Sequence, residues 1–390
     1  LKWAFGYAGV NAARAQPTLA GGRLFVASEN GEAHALDPKT GCTHWTFRAQ
    51  AGIRTSLSVG PYKNAAGAGQ AVYFGDVRAN AYAVDAATGR ELWVRKVDDH
   101  AAASLTGAPA VFAGRVFVPV QGLNEEGQGG TGKYPCCTFR GSLVALDANT
   151  GAVLWKTYMV DPPQPRSKNA AGIQMSGPAG GGIWAAPTVD AKRGLVYVPT
   201  GNGYADPPQP MTNAVVAMDV QTGAVKWVRQ TTPNDSWTLG CPPKNTGNPA
   251  CPETLGPDHD FSASPSLTTV NGRDLLVLPQ KSGIAWAIDP DKNGEVVWQR
   301  RIGQGSGLGA GQMAQLLPLL APLVMAALGK AKRQGGLDAG GLAGVLGGEE
   351  AQIRQRAPGL MGTLSGLLDR DGDGSAMDDI GGMLSGAFKK

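Results

Sequence analysis

The sequence predicts an all-β fold of the propeller type, apparently incomplete, followed by a small α-helical C-terminal domain. The main observation is a repeat in which a short apolar run ends at Asp and is followed by Thr-Gly and then Trp. Repeated hairpins with an aromatic anchor are typical of propeller blades. The content of 57 Gly and 27 Pro in 390 residues also favours many turns. The five repeats are centred on Asp37, Asp85, Asp147, Asp219 and Asp289.

Each repeat is expected to form a β-hairpin. Its Asp, Thr and Gly favour a tight turn in which the Gly takes a positive φ angle. A Trp follows eight residues after the Asp in the first four repeats and nine after it in the last, and we expect each Trp to be buried against the next blade. Some repeats lie further apart than the roughly 40–50 residues of a four-stranded blade, so inserted loops there are candidates for the functional site.

Runs of β-branched, aromatic and other apolar residues supply the other predicted strands. They are bounded by Gly or Pro, as strands commonly are. Residues 8–301 are therefore predicted to be nearly all β, and Lys2-Trp3 to be the tail of a preceding repeat. The clearest runs are 24–26, 72–74, 116–118, 195–198 and 275–278.

Composition and charge argue against two classes of partner. The net charge of +4 is spread without a Lys/Arg cluster, so no nucleic acid is expected. The longest apolar run, 313–329, contains two prolines and is shorter than the roughly 20 residues of a membrane helix, so no membrane span is expected. The chain begins at Leu1 without a signal peptide, as a mature product or a fragment would.

The cysteines indicate an oxidising compartment. Cys241 and Cys251 bracket a Pro- and Asn-rich loop, which predicts a disulfide that closes the loop. Two free thiols are the alternative. Cys42 is left unpaired in either case.

The pattern changes near Gly303. We predict a propeller domain over 1–302, a Gly-rich linker over 303–311 and a helical domain over 312–390, where apolar residues fall on one helix face. Asp369, Asp371 and Asp373 have the spacing of a calcium loop. Position 12 of that loop is Ile380 rather than Glu, so a solvated acidic turn is the alternative.

Six further motifs carry a family resemblance: PCCTFRGSLVALD at 135–147, GGIWAAPTVD at 181–190, TGNGY at 200–204, TTPNDSW at 231–237, GPDHDFSASP at 256–265 and LPQKSGIAWAIDPDKNGEVVW at 278–298. With the repeats, they resemble the quinoprotein alcohol dehydrogenases, and within these the polyvinyl alcohol dehydrogenase group. The resemblance covers about 1–308 and implies a propeller that holds pyrroloquinoline quinone (PQQ) and calcium. Propellers of this family have eight blades, whereas five full repeats are found in this sequence. The tail, 311–388, is similar to a small bacterial YidB-like family of unknown function.

The resemblance assigns roles to four residues. Trp184 matches the indole on which the quinone stacks, and Lys281 matches a cation beside the quinone oxygens. Asn202 matches a calcium ligand. Asp235 matches the general base, with Asp258 and Asp260 as runners-up, and is also a candidate metal ligand. The alternative for Trp184 is a core Trp, and from the local sequence alone Asn202, Asp235 and Lys281 are turn residues.

Arg140 and the adjacent pair Cys136-Cys137 are further candidates for cofactor binding. Many family members cover PQQ with a disulfide between adjacent cysteines. Here the pair falls nearer the position at which methanol-type enzymes carry a calcium-ligating Glu, and the usual disulfide position falls near Thr55-Ser56. Either the lid comes from another blade or the pair is structural, and the expected Glu is missing at this position.

The resemblance implies a periplasmic PQQ- and calcium-dependent alcohol dehydrogenase. It would oxidise secondary or polymeric alcohols to carbonyls and pass electrons to a cytochrome c. The alternatives are a non-catalytic propeller that serves as a binding or assembly scaffold, and an inactive fragment or fusion of the enzyme. A scaffold shares the repeats but does not need Trp184, Asn202, Asp235 and Lys281 together.

Overall fold

The computed structural model describes residues 2–10, 12–65, 67–241, 251–253 and 255–302, which contain five four-stranded antiparallel sheets. The first sheet contains β1 (Thr18–Ala20), β2 (Arg23–Ala27), β3 (Glu32–Leu36) and β4 (Thr43–Arg48). The second contains β5 (Ser58–Asn64), β6 (Gly67–Gly75), β7 (Asn80–Asp85) and β8 (Glu91–Lys96). The third contains β9 (Ala110–Phe112), β10 (Arg115–Val120), β11 (Ser142–Asp147) and β12 (Val153–Tyr158), with helix α1 (Leu123–Gln128) and a 3-10 turn (Gly129–Thr131) inserted after β10.

The chain then adds the hairpin of β13 (Gln164–Lys168) and β14 (Gln174–Gly177), and the short β15 (Ala179–Gly180). The fourth sheet begins with β16 (Thr188–Asp190) and β17 (Leu195–Pro199). The short strand β18 (Gly203–Ala205) follows and pairs with β15. The fourth sheet is completed by β19 (Ala214–Asp219) and β20 (Val225–Gln230). The fifth contains β21 (Ser266–Val270), β22 (Arg273–Pro279), β23 (Ile284–Asp289) and, after a 3-10 turn (Pro290–Lys292), β24 (Glu295–Arg301). No helix among the described residues is long and apolar enough to cross a membrane.

The predicted turn chemistry is confirmed. Oδ1 of Asp37 accepts hydrogen bonds from the N–H groups of Lys39 and Thr40 and from the Thr40 hydroxyl. Gly41 then takes a φ angle of 78°, which any side chain would resist. The same arrangement recurs at Asp85, Asp147 and Asp219.

The repeated Trp docks on the turn of the following sheet. The Trp45 indole donates to the Ala86 carbonyl at 3.0 Å, and its ring lies against Gly89, where an added Cβ would come within 2.7 Å of it. A glycine is therefore needed there both for its φ angle and for its lack of a side chain. Trp3 docks in the same way on the first sheet, as its sequence predicts. The other pairs are Trp93 on Gly151, Trp155 on Gly223 and Trp227 on Gly294.

Trp298 departs from the prediction. It occupies the equivalent position on β24 and pairs with Ala287, as the other four pair with Ala, but it is 42% exposed. The reason is that no further repeat follows β24 within the described range 255–302, so no turn glycine covers the indole. The predicted helical domain, with Asp369, Asp371 and Asp373, lies outside the described residues.

The first strands of neighbouring sheets, β5, β9, β16 and β21, contact one another in turn. That is the arrangement expected of strands nearest the axis of a propeller. The start of each first strand and the end of each second strand lie at the same end of the axis, because the strands are antiparallel. The repeat turns lie at the opposite end, which leaves this end for the inserted loops.

Candidate functional site

A cavity of about 320 Å³ opens at this end of the propeller, within the roughly 300–1,000 Å³ of small-molecule sites. Each of the five sheets contributes one side chain to its lining, from the segment just before its first strand. In four sheets this residue lies four positions before the strand, and in the fifth it lies six before. These residues are Arg14, Arg54, Thr106, Trp184 and Asp260.

The segments after the second strands supply most of the rest. Gln121 follows β10, Asn202 follows β17 and Lys281 follows β22. Glu126 on α1 and Tyr204 on β18 complete the polar lining. Trp184, Asn202 and Lys281, which were predicted from separate motifs, are thus brought to one cavity.

Asp260 links two of these residues. Its Oδ2 accepts from the Trp184 indole N–H at 3.0 Å, and its Oδ1 lies 2.7 Å from the Lys281 Nζ. Lys281 also lies 3.0 Å from Oδ1 of Asp258 and 5.4 Å from the centre of the Trp184 ring. Burial raises the pKa of Asp260 to about 6, against the opposing effect of Lys281. Burial acts to lower the pKa of Lys281, but the two carboxylates outweigh it and the pKa is raised.

Glu126 is a carboxylate of the site that the sequence reasoning missed. Burial and then repulsion by Asp260 raise its pKa to about 7, and the Tyr204 hydroxyl donates to its Oε2 at 3.3 Å. Its neighbour Glu125 is fully buried and accepts from the N–H groups of Thr138 at 2.9 Å and Phe139 at 2.6 Å. Glu125 thus anchors α1, and Glu126 faces the cavity. The chain therefore does place a Glu in the lining of the same cavity as Asn202, although not at the position that the resemblance indicated.

Asp235 has a different environment from the one predicted for a base. It is buried, it is not among the cavity-lining residues, and its two carboxylate oxygens accept from the N–H groups of Asp258 at 3.0 Å and His259 at 2.7 Å. Burial raises its pKa, and these two hydrogen bonds oppose the rise. The carboxylate of Asp235 holds the loop that carries Asp258 and Asp260. Its catalytic role stays a prediction, for which Asp260 is now the stronger candidate.

Arg140, Cys136 and Cys137 are not brought to the cavity. The Arg140 guanidinium stacks on the Tyr158 ring at 3.8 Å, and its Nε donates to the Val160 carbonyl at 2.9 Å. Cys136 and Cys137 are disulfide-bonded to each other and buried in the core. This placement agrees with the structural alternative for the pair. The predicted disulfide between Cys241 and Cys251 is confirmed.

The lining suits a planar, anionic, oxygen-rich ligand. Trp184 offers an aromatic face, and Arg14, Arg54 and Lys281 offer positive charge. The Thr106 Oγ1 and Gln121 Nε2 atoms are buried without a hydrogen-bond partner among the described residues. Buried polar atoms are normally paired, so these two are free to bind a ligand.

A metal would need a mixed ligand set here. Within the described ranges, no group of three or more His, Cys, Asp or Glu side chains has the geometry of a metal site. Glu126 and the Asn202 amide both line the cavity, and Asn202 donates to Oδ1 of Asp258 at 3.3 Å. These are the oxygen-bearing side chains that calcium prefers.

Comparison with known proteins gives matches to two family models and to several relatives. A family model described as the β-propeller domain of glucose, ethanol and alcohol dehydrogenases that use PQQ matches residues 6–246. A model of a bacterial protein family of unknown function matches residues 293–331. The chain is 45% identical to a polyvinylalcohol dehydrogenase of Pseudomonas sp. over 311 residues, which are 79% of the chain and 48% of that protein.

A polyvinylalcohol dehydrogenase of Sphingopyxis sp. is 42% identical over 311 residues, which are 79% of the chain and 47% of that protein. The chain thus spans about half the length of these curated relatives. Among solved structures, the quinohemoprotein alcohol dehydrogenase of Comamonas testosteroni matches with a TM-score of 0.54 and 23% identity, over 75% of the chain and 43% of that protein. This likeness supports the fold.

Proposed function

Because the chain belongs to the family of PQQ β-propellers found in glucose, ethanol and alcohol dehydrogenases, we propose that it binds PQQ in the Trp184 cavity and takes part in alcohol oxidation. The observation that carries the proposal is the convergence of Trp184, Lys281 and Asp260 at the end of the propeller where the loops gather. Alcohol oxidation is part of the proposal, because the polyvinylalcohol dehydrogenases are about twice as long as the part of them that this chain matches.

The lining residues would hold the quinone in distinct ways. Trp184 packs a flat apolar face against it. Arg54 and Lys281 offset the negative charge of its carboxylates, and the unpaired Thr106 and Gln121 atoms supply hydrogen bonds. When bound, PQQ supplies a two-electron acceptor for the alcohol.

Asp260 is the proposed general base. A base takes the hydroxyl proton of the alcohol as the C–H bond breaks, and it must be ionised at the working pH. With a pKa of about 6, Asp260 is largely ionised at neutral pH yet basic enough to accept a proton. Lys281 and the Trp184 N–H fix its two oxygens. In this proposal Asp235 positions the loop on which the base lies.

We propose that calcium is the metal, held by oxygen atoms of Glu126 and Asn202 with help from Asp258. All three carry side-chain oxygens, and two of the three are carboxylates, which suits a hard divalent cation. The ion would act as a Lewis acid beside the carbonyl groups of the cofactor. It would also favour the ionised form of Glu126, whose pKa is raised to about 7 in the protein alone.

Secondary or polymeric alcohols are the proposed substrates, by analogy with the named function of the two polyvinylalcohol dehydrogenases. We also propose a periplasmic location and a cytochrome c as electron acceptor. Two disulfides within the described residues support an oxidising compartment.

The test is a turnover assay on the full chain loaded with PQQ and calcium, with a redox dye as acceptor and a secondary alcohol as substrate. The proposal expects dye reduction that depends on the alcohol and that is strongly reduced, but still measurable, in Lys281→Met. Lys39→Met, an exposed turn position at the opposite end of the propeller, is the matched control and should keep the parent rate. An alcohol-independent rate, or Lys281→Met at the parent rate, would overturn it.

A further inference from the structure

A second cavity of about 440 Å³ adjoins the first, and the two share Arg14, Arg54 and Leu123 in their linings. Among the described residues that line the second cavity, the charged ones are Arg14, Arg54 and Glu29. Two cations and one anion leave this lining with a net positive charge. A cavity of one sign of charge attracts ligands of the opposite sign, so the second cavity favours an anion.

Glu29 holds the two arginines together but does not saturate them. Its Oε1 lies 3.1 Å from the Nε of Arg14 and 3.6 Å from the Nε of Arg54. The Arg54 Nε is buried and makes no hydrogen bond within the described part of the chain. Each guanidinium has five N–H donors, so one shared carboxylate oxygen leaves donors of both side chains available to a ligand.

The charges of the two arginines are only partly offset. Burial, and then the positive charge of Arg14, lower the pKa of Arg54, and Glu29 opposes this change. An arginine nevertheless stays charged at neutral pH. The repulsion between the two guanidinium groups is therefore retained in the protein, and a second anion beside them would relieve it.

A carboxylate on a short carbon chain fits these surroundings. Arginine binds carboxylates through two parallel N–H donors, which gives both strength and orientation. The exposed amide of Asn124 lines the same cavity and can add a neutral donor. Leu123 is 42% exposed and lines both cavities, so it offers apolar surface to a carbon chain that passes from one to the other.

We propose that the second cavity is a carboxylate subsite, and that it serves alcohol substrates that also carry a carboxylate group. The carboxylate would pair with Arg14, which the proposed quinone contacts do not use, while the carbinol reaches into the Trp184 cavity. The assignment to a substrate rests on the proposed function, whereas the binding of a carboxylate does not. Arg14 and Glu29 then set the preference for anionic over neutral alcohols, with opposite signs.

Calorimetric titration of the full chain without added PQQ tests the subsite, with 4-hydroxypentanoate and its neutral amide as the two probes. The parent should bind the acid at least about tenfold more tightly than the amide. Arg14→Gln should weaken acid binding by about threefold to tenfold, the range for a partly exposed charge-assisted pair. Glu29→Gln should tighten it by a similar factor, because the competing negative charge is removed.

Lys39→Gln is the matched control, since it removes one positive charge from an exposed turn at the opposite end of the propeller and should bind the acid as the parent does. Neither Arg14→Gln nor Glu29→Gln should change the affinity for the amide. A variant that only disturbed the fold would lose both probes, and it would not bind the acid more tightly. Equal affinity of the parent for acid and amide, or acid binding unchanged in both variants, would overturn the subsite.

Repeating the titration on the PQQ-loaded chain distinguishes a substrate carboxylate from a carboxylate of the quinone. Acid binding that persists and still depends on Arg14 supports the substrate assignment, whereas loss of acid binding on PQQ loading would overturn it. A PQQ titration of the parent separates this inference from the proposed function. Quinone binding without acid binding would overturn the subsite alone, and acid binding without quinone binding would overturn the proposed function.

Discussion

Replacing Asp260 with Asn distinguishes the two candidate bases. Asparagine has the same shape and keeps one oxygen for the Trp184 N–H or Lys281, while Asp258 still pairs with Lys281. The fold should therefore be retained. Removing a general base typically costs roughly 10²–10⁴ in rate, so we expect the Asp260→Asn turnover to fall by at least about 10²-fold with little change in melting temperature.

The matched substitution Asp235→Asn should behave in the opposite way. Both Asp235 oxygens accept backbone N–H groups, at 3.0 and 2.7 Å, and Asn offers only one acceptor. One buried N–H is then left unpaired, at a cost of about 1–3 kcal/mol, and the melting temperature should fall by several degrees. Turnover with a dye acceptor and thermal unfolding measure the two effects. Turnover near the parent level in Asp260→Asn, with a 10²-fold loss in a stable Asp235→Asn, would refute the assignment.

Two further predictions concern the blade contacts and the pH dependence. Gly151→Ala should lower the free energy of unfolding by about 1–3 kcal/mol more than Gly114→Ala does. Both glycines have φ near +70°, but only Gly151 has Trp93 within 2.7 Å of an added Cβ. Equal losses of unfolding free energy in denaturant titrations would contradict a stabilising role for the Trp docking. Turnover should fall as pH drops below about 6, since burial raises the pKa of Asp260 to about 6 and the base acts when ionised. Lys281→Met removes a cation that lowers the pKa of Asp260. The acid limb of the pH–rate profile of this variant should therefore move to higher pH. An unchanged acid limb would contradict the pairing of Lys281 with Asp260.

The fold could be predicted from the sequence because each blade carries the same local motif. The Asp, Thr and Gly of the turn and the following Trp act within one hairpin or between neighbouring ones, so a single sequence carries the signal. Trp298 was mispredicted for a related reason. Its burial depends on a turn glycine from another repeat, and no such repeat follows within 255–302.

Only part of the site could be predicted from the sequence. Trp184, Asn202 and Lys281 lie in motifs, and the structure brings them together. The motifs could not show which carboxylate of the 235–260 region faces the cavity, because that depends on the path of the loop. Glu126 and Arg54 were missed, as they lie outside the recognised motifs. The shared position four residues before a first strand is a signal that would have found Arg54.

The central claim is that the Trp184 cavity holds the quinone, and a PQQ titration of the full chain with calcium tests it most directly. The parent should bind one PQQ per chain, seen by calorimetry and by the absorption spectrum of the bound quinone. Trp184→Ala should weaken binding by about tenfold or more through loss of the stacking surface. Trp298→Ala removes an exposed Trp that does not line the cavity and should leave affinity unchanged. No binding by the parent, or equal affinity in Trp184→Ala, would contradict the claim.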